Sequence, residues 1–150
     1  MYNIRKASKN DETILISLSR KTINHNFRLF MGDDAVDSFI NSGMADKEIT
    51  DWIGEILILE LDKKIIGLCI WKESLLHLIM IDPEFQGTGA ASYFIENICE
   101  DRLKKYKEIY LESFENNERA NSFYQKCGWE MYKKETDAEM GWNRLFYRKS

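Results

Sequence analysis

An α/β fold, one sheet carrying helices on both faces, is what this 150-residue sequence predicts. Three observations predict it. Two β-rich runs, 56–61 and 64–71, flank Asp62-Lys63 as the arms of a hairpin do. Strand and helix patterns then alternate: a strand over 76–82, a helix from Ala90 to about Tyr106, a strand over 108–114 and a helix over 118–126. Two further β-rich segments, 128–133 and 145–148, close the chain.

The first half is more helical. Residues 2–7 read as a strand, and Asn10 or Asp11 caps a helix reaching Thr22, with Ile14, Leu15, Leu18 and Ile23 at roughly helical spacing. The Phe- and Asn-rich stretch 24–32 predicts a mobile loop. Asp33–Asn41 and Asp46–Trp52 predict one or two short helices with Gly43 at the break. On the long helix, Tyr93, Phe94, Ile98 and Leu103 supply the buried face. A hydrophobic content of 44% is enough for the core of a single domain over 1–150.

Composition narrows the partners. No apolar run approaches the roughly 18 residues that span a bilayer, and Met1–Lys6 lacks a signal-peptide apolar region. Cys69, Cys99 and Cys127 form no C-x-x-C pair, so reduced thiols and a cytoplasmic location are expected. A net charge of −4 without a basic patch argues against nucleic acid. Asp33, Asp34, Asp37, Asp46, Glu48, Asp51 and Glu55 form an acidic region, either a lure for a cationic amine or a solvated helix surface. Two histidines and scattered cysteines make no metal ligand set.

The richest stretch is 79–92. An apolar strand (Ile79, Met80, Ile81) meets the chain's one proline, Pro83, then a loop with Gly87 and Gly89, then a helix start. Such a loop leaves N–H groups pointing forward with the positive end of a helix dipole behind them, which suits a phosphate. Neither glycine precedes Lys-Ser or Lys-Thr, so it is not a P-loop; Ser92 stands where a dinucleotide fingerprint needs its third glycine. Gln86-Gly87-Thr88-Gly89-Ala90-Ala91 instead resembles the Gln/Arg-x-x-Gly-x-Gly/Ala pattern of the GNAT N-acetyltransferase superfamily, and Ile81-Asp82-Pro83 its preceding Val/Ile-x-Pro step. A second stretch, Asn117 to Trp129, resembles the family's Asn-x-x-Ala-x-x-Phe-Tyr-x-x-x-Gly-Phe segment, with Trp129 for the usual Phe.

The resemblance implies a mixed, mostly antiparallel sheet of about six to seven strands, splayed between the fourth and fifth. It implies acetyl-CoA as donor and a primary amine as acceptor, either a small molecule or polyamine or a protein N-terminus, with direct transfer in a ternary complex. Backbone N–H groups from Gly87 to Ser92 would take the diphosphate, so side chains there must be small. The free edge at Ile79, Met80 and Ile81 would pair with the pantetheine arm. By the family pattern Asn117 contacts that arm, though Asn also suits a helix N-cap. Lys126 reads as a CoA contact or a solvated helix-end charge.

Tyr124 occupies the family's general-acid position, protonating the departing thiolate; a core aromatic is the alternative. Glu112, on an apolar strand twelve residues earlier, resembles the acidic position of ribosomal-protein N-terminal acetyltransferases. It is the expected base, with His77 or a water relay in competition. Cys127 reads as an inert thiol, Trp71 as core. A CoA-binding sensor without turnover is the competing class, and Leu145, Phe146 and Tyr147 could pair across a homodimer or close their own sheet.

Overall fold

The computed structural model describes residues 1–139 and 141–150. In chain order it forms β1 (Tyr2–Lys6), α1 (Glu12–Asn26), α2 (Arg28–Met31), α3 (Asp33–Asn41), α4 (Met44–Asp51), β2 (Ile56–Leu61), β3 (Lys64–Lys72) and β4 (Leu75–Ile81). There follow α5 (Ala90–Leu103), β5 (Ile109–Phe114), α6 (Glu118–Lys126), β6 (Glu130–Thr136) and β7 (Asn143–Lys149). The seven strands hydrogen-bond in the order β1-β2-β3-β4-β5-β7-β6. Most pairings are antiparallel, and helices lie on both sides of the sheet. The exception is β4 and β5, a parallel, splayed pair with Leu75 opposite Tyr110. This is the sheet that the resemblance implied.

The chain divides into two compact bodies, Met1–Trp71 with Leu78–Ala91, and Lys72–His77 with Ser92–Ser150. In the first, Leu15, Leu18 and Ile23 of α1, Val36 of α3 and Ile49 of α4 pack with Ile56, Ile58, Leu68, Ile70 and Met80 from three strands. Each such side chain contributes about 1.5–3 kcal/mol by leaving water. On β3 the run from Ile66 to Trp71 is buried without alternation, as a strand covered on both faces requires. Gly67 sits in that run for a steric reason: a Cβ there would lie 2.8 Å from Ile81 Cδ1 and 3.0 Å from the Met80 carbonyl oxygen.

Three local expectations are corrected. The 24–32 stretch is helical rather than loop, because α1 continues to Asn26 and α2 follows at once. Phe27 and Met31 pack against the core of this body, while Arg28 bonds Asn24, Asp33 and Asp37. Ile14 is exposed, since the buried stripe of α1 runs through Leu15, Leu18 and Thr22. Asp11 makes no side-chain cap to α1. Its carboxylate takes a two-pronged contact from Arg5, at 2.9 and 3.0 Å, and the N–H of Ser8 at 2.8 Å.

In the second body, period-two burial sets the faces. Ile109 and Leu111 of β5 and Leu145 and Tyr147 of β7 are buried, whereas Tyr110, Glu112 and Phe146 point the other way. Phe94, Ile95, Ile98 and Cys99 form the buried stripe of α5, which stops at Leu103, short of Tyr106. At the sheet's edge β6 is exposed at every residue.

Two outcomes are expected. Gly67→Ala should cost about 2 kcal/mol in urea unfolding, because the Met80 carbonyl cannot move aside as a flexible side chain could. Arg5, helped by the Ser8 N–H, holds the Asp11 carboxyl far below the usual carboxylate range. A depressed folded-state pKa gives stability that is full above the unfolded value, ~3.9, and lost as pH falls further. Stability measured from pH 6 to 2 should therefore fall less steeply in Arg5→Met than in the unaltered protein.

Candidate functional site

The end of β4 sets up a turn whose geometry depends on few residues. Met80 and Ile81 are buried, Ile79 half so. The Asp82 N–H donates to the Ile66 carbonyl at 2.7 Å, continuing the β3 contact one residue past the strand. Pro83–Phe85 then form a single 3₁₀ turn capped by Asp82, whose carboxylate accepts the Glu84 N–H at 3.0 Å. Burial would raise the Asp82 pKa, but the Lys21 ammonium at 2.9 Å and the Glu84 N–H outweigh it, and the carboxyl sits below its ordinary value. Gln86 Nε2 donates to the Ile81 carbonyl at 3.3 Å and to Asn26 Oδ1 at 3.1 Å.

Beyond Gln86 the backbone opens. Gly87 and Gly89 have φ of 79° and 91°, the left-handed region that side chains resist. A Cβ at either would meet nothing within 4 Å, so no protein atom needs that space. Thr88 is exposed and its hydroxyl donates back to the Phe85 carbonyl. Among the described residues, the N–H groups of Gly87, Thr88 and Gly89 make no main-chain hydrogen bond outside the regular elements. Those of Ala90, Ala91 and Ser92, in the first turn of α5, have no intrahelical partner by helix geometry. Ala90 is fully buried, which limits it to a small side chain. The result is a row of donors exposed at Gly87, Thr88 and Gly89 and continuing into the first turn of α5, an arrangement of the kind that suits a diphosphate.

In the second body, α6 presents the other motif. Asn117 is the residue before the helix, but its side chain makes no cap bond, so the N-cap alternative is not realised. Its neighbour one turn on, Asn121, is buried and fully used. Asn121 Nδ2 donates to the carbonyls of Phe114 (2.9 Å) and Glu115 (3.2 Å), and its Oδ1 accepts the Tyr147 hydroxyl at 3.1 Å. Tyr124 is half-buried, with its ring 5.9 Å from that of Tyr147. Among the described residues its hydroxyl has no hydrogen-bond partner. Burial pushes the phenol up to about 12, with Tyr147 and Cys127 adding to the shift. It is therefore protonated throughout the physiological range. Lys126 is exposed at the helix end.

Glu112 is exposed on β5 and bonded to Arg144 of β7 at 3.1 Å, and Arg144 also holds Asp137 at 3.0 Å. The apolar surroundings expected around Glu112 face inward instead, since Ile109 and Leu111 alternate with it. His77 is exposed on β4. Burial raises the Cys127 thiol pKa, as an inert thiol requires, and Trp71 is buried as core. Much of the acidic region is internally paired: Arg28 with Asp33 and Asp37, Arg20 with Asp46, Lys47 with Asp51. The solvated-surface reading describes it better than an amine lure.

Sequence reading missed Asn121, Tyr147 and Arg144. Asn121 carried a usable signal, lying four residues after Asn117 and three before Tyr124 on one helix face. Arg144 and Lys21 carried none, because each partner is fixed only by the tertiary register.

A family model described as an acetyltransferase (GNAT) domain matches residues 52–131. No curated protein matches the sequence. Among solved structures, the PaiA N-acetyltransferase from Thermoplasma acidophilum, in complex with coenzyme A, aligns at TM-score 0.80 and 20% identity, covering 100% of this chain and 99% of that one. The ribosomal-protein-S18-alanine N-acetyltransferase from Escherichia coli aligns at 0.72 and 15%, covering 99% and 92%. A spermidine N-acetyltransferase SpeG chimera from Vibrio cholerae and hSSAT aligns at 0.70 and 19%, covering 98% and 93%.

Replacing Asn121 by Leu strands the Tyr147 hydroxyl and takes a donor from the Phe114 and Glu115 carbonyls, the first of which keeps the Asn117 N–H, and should cost about 2 kcal/mol in urea unfolding. Tyr147→Phe, which frees a single acceptor on Asn121, should cost about 1 kcal/mol in the same assay.

Proposed function

The chain belongs to the GNAT acetyltransferase family, and from that premise we propose that it moves an acetyl group from acetyl-CoA directly to a primary amine, a polyamine or other small amine, or a protein N-terminus. The observation that carries the reading is the donor cradle. Gly87 and Gly89 hold left-handed backbone beside open space, and among the described residues the N–H groups of Gly87, Thr88 and Gly89 make no main-chain hydrogen bond outside the regular elements. Gln86 and Thr88 brace the loop by side-chain bonds to Ile81 and Phe85, and Ala90, Ala91 and Ser92 continue the donor row. Ile79, Met80 and Ile81 offer main-chain partners to the pantetheine amides. Asn117, uncommitted to a cap, reaches for the same arm, and Lys126 for a CoA phosphate.

Acetyl-CoA supplies an activated thioester; the chain supplies position and proton management. One C–S bond breaks and one C–N bond forms, while the amine loses a proton and the sulfur gains one. Neutralising a lysine-like ammonium at pH 7 costs about 4–5 kcal/mol, so an acceptor for that proton is needed. Glu112 takes it in this reading, directly or through water, with Arg144 fixing the carboxylate's direction. Tyr124 serves the sulfur. With its phenol at about 12 and a thiol near ~8.5, complete transfer would be uphill by about 5 kcal/mol. Its role is therefore a hydrogen bond that steadies the thiolate while the amine's own proton completes the exchange. The free thiols Cys69, Cys99 and Cys127 suit a reducing, cytoplasmic setting.

A thiol-release assay with acetyl-CoA across spermidine, small amines and N-terminal peptides tests the proposal. Turnover with at least one acceptor is expected, and Tyr124→Phe should lower kcat about 100-fold with CoA affinity unchanged. CoA binding without transfer to any acceptor would favour the sensor reading. An undiminished rate in Tyr124→Phe would remove that residue from the chemistry.

A further inference from the structure

The turn that delivers the donor loop has few attachments of its own. Its internal bonds, Phe85 N–H to the Asp82 carbonyl and Gln86 N–H to the Pro83 carbonyl, shape it without orienting it. Asp82 N–H to Ile66 anchors one end. Lys64 of β3 touches its middle, 3.9 Å from Glu84 Oε2 and over the Phe85 ring, and further anchors come from α1, some sixty residues earlier in sequence. Lys21 Nζ lies 2.9 Å from Asp82 Oδ1 and 3.1 Å from Glu84 Oε2. Asn26 Oδ1 accepts Gln86 Nε2 at 3.1 Å, and His25 Nδ1 lies 2.9 Å from the same oxygen.

We propose that Lys21 and Asn26 are positioning residues for the donor loop, fastening the Asp82–Gln86 turn at both ends so that the amides from Gly87 onward keep one direction. Two features distinguish this from general stabilisation. Lys21 is a half-exposed side chain whose ammonium turns inward to a carboxylate only 7% exposed. Gln86, held by Asn26, is the residue immediately before Gly87, where the backbone enters its left-handed path. A rotation at Gln86 would redirect the N–H groups that follow, whereas the core of this body would be untouched. Both fasteners come from α1.

The inference rests on the acetyl-CoA reading, and calorimetric titration with CoA separates the two. The unaltered protein, Lys21→Met, Lys21→Arg and Asn26→Leu are compared, each with a melting curve. Lys21→Met and Asn26→Leu should each weaken CoA about tenfold, and Lys21→Arg should restore it to within about twofold. Lowered melting temperature with unchanged CoA affinity would assign both residues a merely structural part and overturn the proposal. Should Lys21→Met fail to fold, Asn26→Leu decides alone by the same criterion. No CoA binding by the unaltered protein would overturn the acetyl-CoA reading itself.

Discussion

Unpaired main-chain polar groups are the constraint on which the rest of this structure depends. Where parallel strands part, and where a loop enters a helix, N–H and C=O groups lose their usual partners. A fold tolerates that loss only if water or a ligand satisfies them. Here β4 and β5 form a parallel, splayed pair with Leu75 opposite Tyr110, and among the described residues the Gly87–Gly89 amides make no main-chain hydrogen bond outside the regular elements. The two gaps have one chemical character: donors and acceptors in rows, at fixed spacing, backed by buried side chains. In the proposed reading, a pantetheine arm with its amides and a diphosphate with its oxygens fill such rows.

Keeping those gaps open requires stiffness next to them. Gly67 lets β3 approach Met80 and Ile81 closely, so the last residues of β4 are held by packing rather than by a partner strand on the far side. Asn121 does the corresponding work in the second body. Its amide takes up the carbonyls of Phe114 and Glu115 just where β5 ends, and Tyr147 pins its oxygen. A buried amide with three partners is costly to disturb, and it sits one helical turn from both Asn117 and Tyr124.

What was legible in the sequence follows from the same distinction. The shape of the loop could be read because left-handed backbone demands glycine at Gly87 and Gly89, and a tight strand exit demands something like Asp82-Pro83. Strands β2 and β3 were legible as apolar runs around Asp62-Lys63, both of which adopt positive φ in the turn. The stretch 24–32 misled because Phe and Asn say little about helicity, and its helix is fixed by Phe27 and Met31 meeting the core. Pairs such as Arg144 with Glu112, or Lys21 with Asp82, bring distant residues together, and no local pattern announces them. The expected environment of Glu112 was wrong for a similar reason: strand alternation turned its apolar neighbours to the opposite face.

The outermost strand has a consequence of its own. A seven-residue strand at a sheet border, exposed along its length, is an invitation to run-on association between molecules. Lys133 and Lys134 sit side by side in it, one on each side of the ribbon, and the register slips between Met131 and Lys133. Bringing a second such ribbon alongside would disturb the ion pairs of Lys133 with Glu135 and Lys134 with Glu115, and would meet a kinked template. The sheet thus carries its own terminator against run-on pairing at this border.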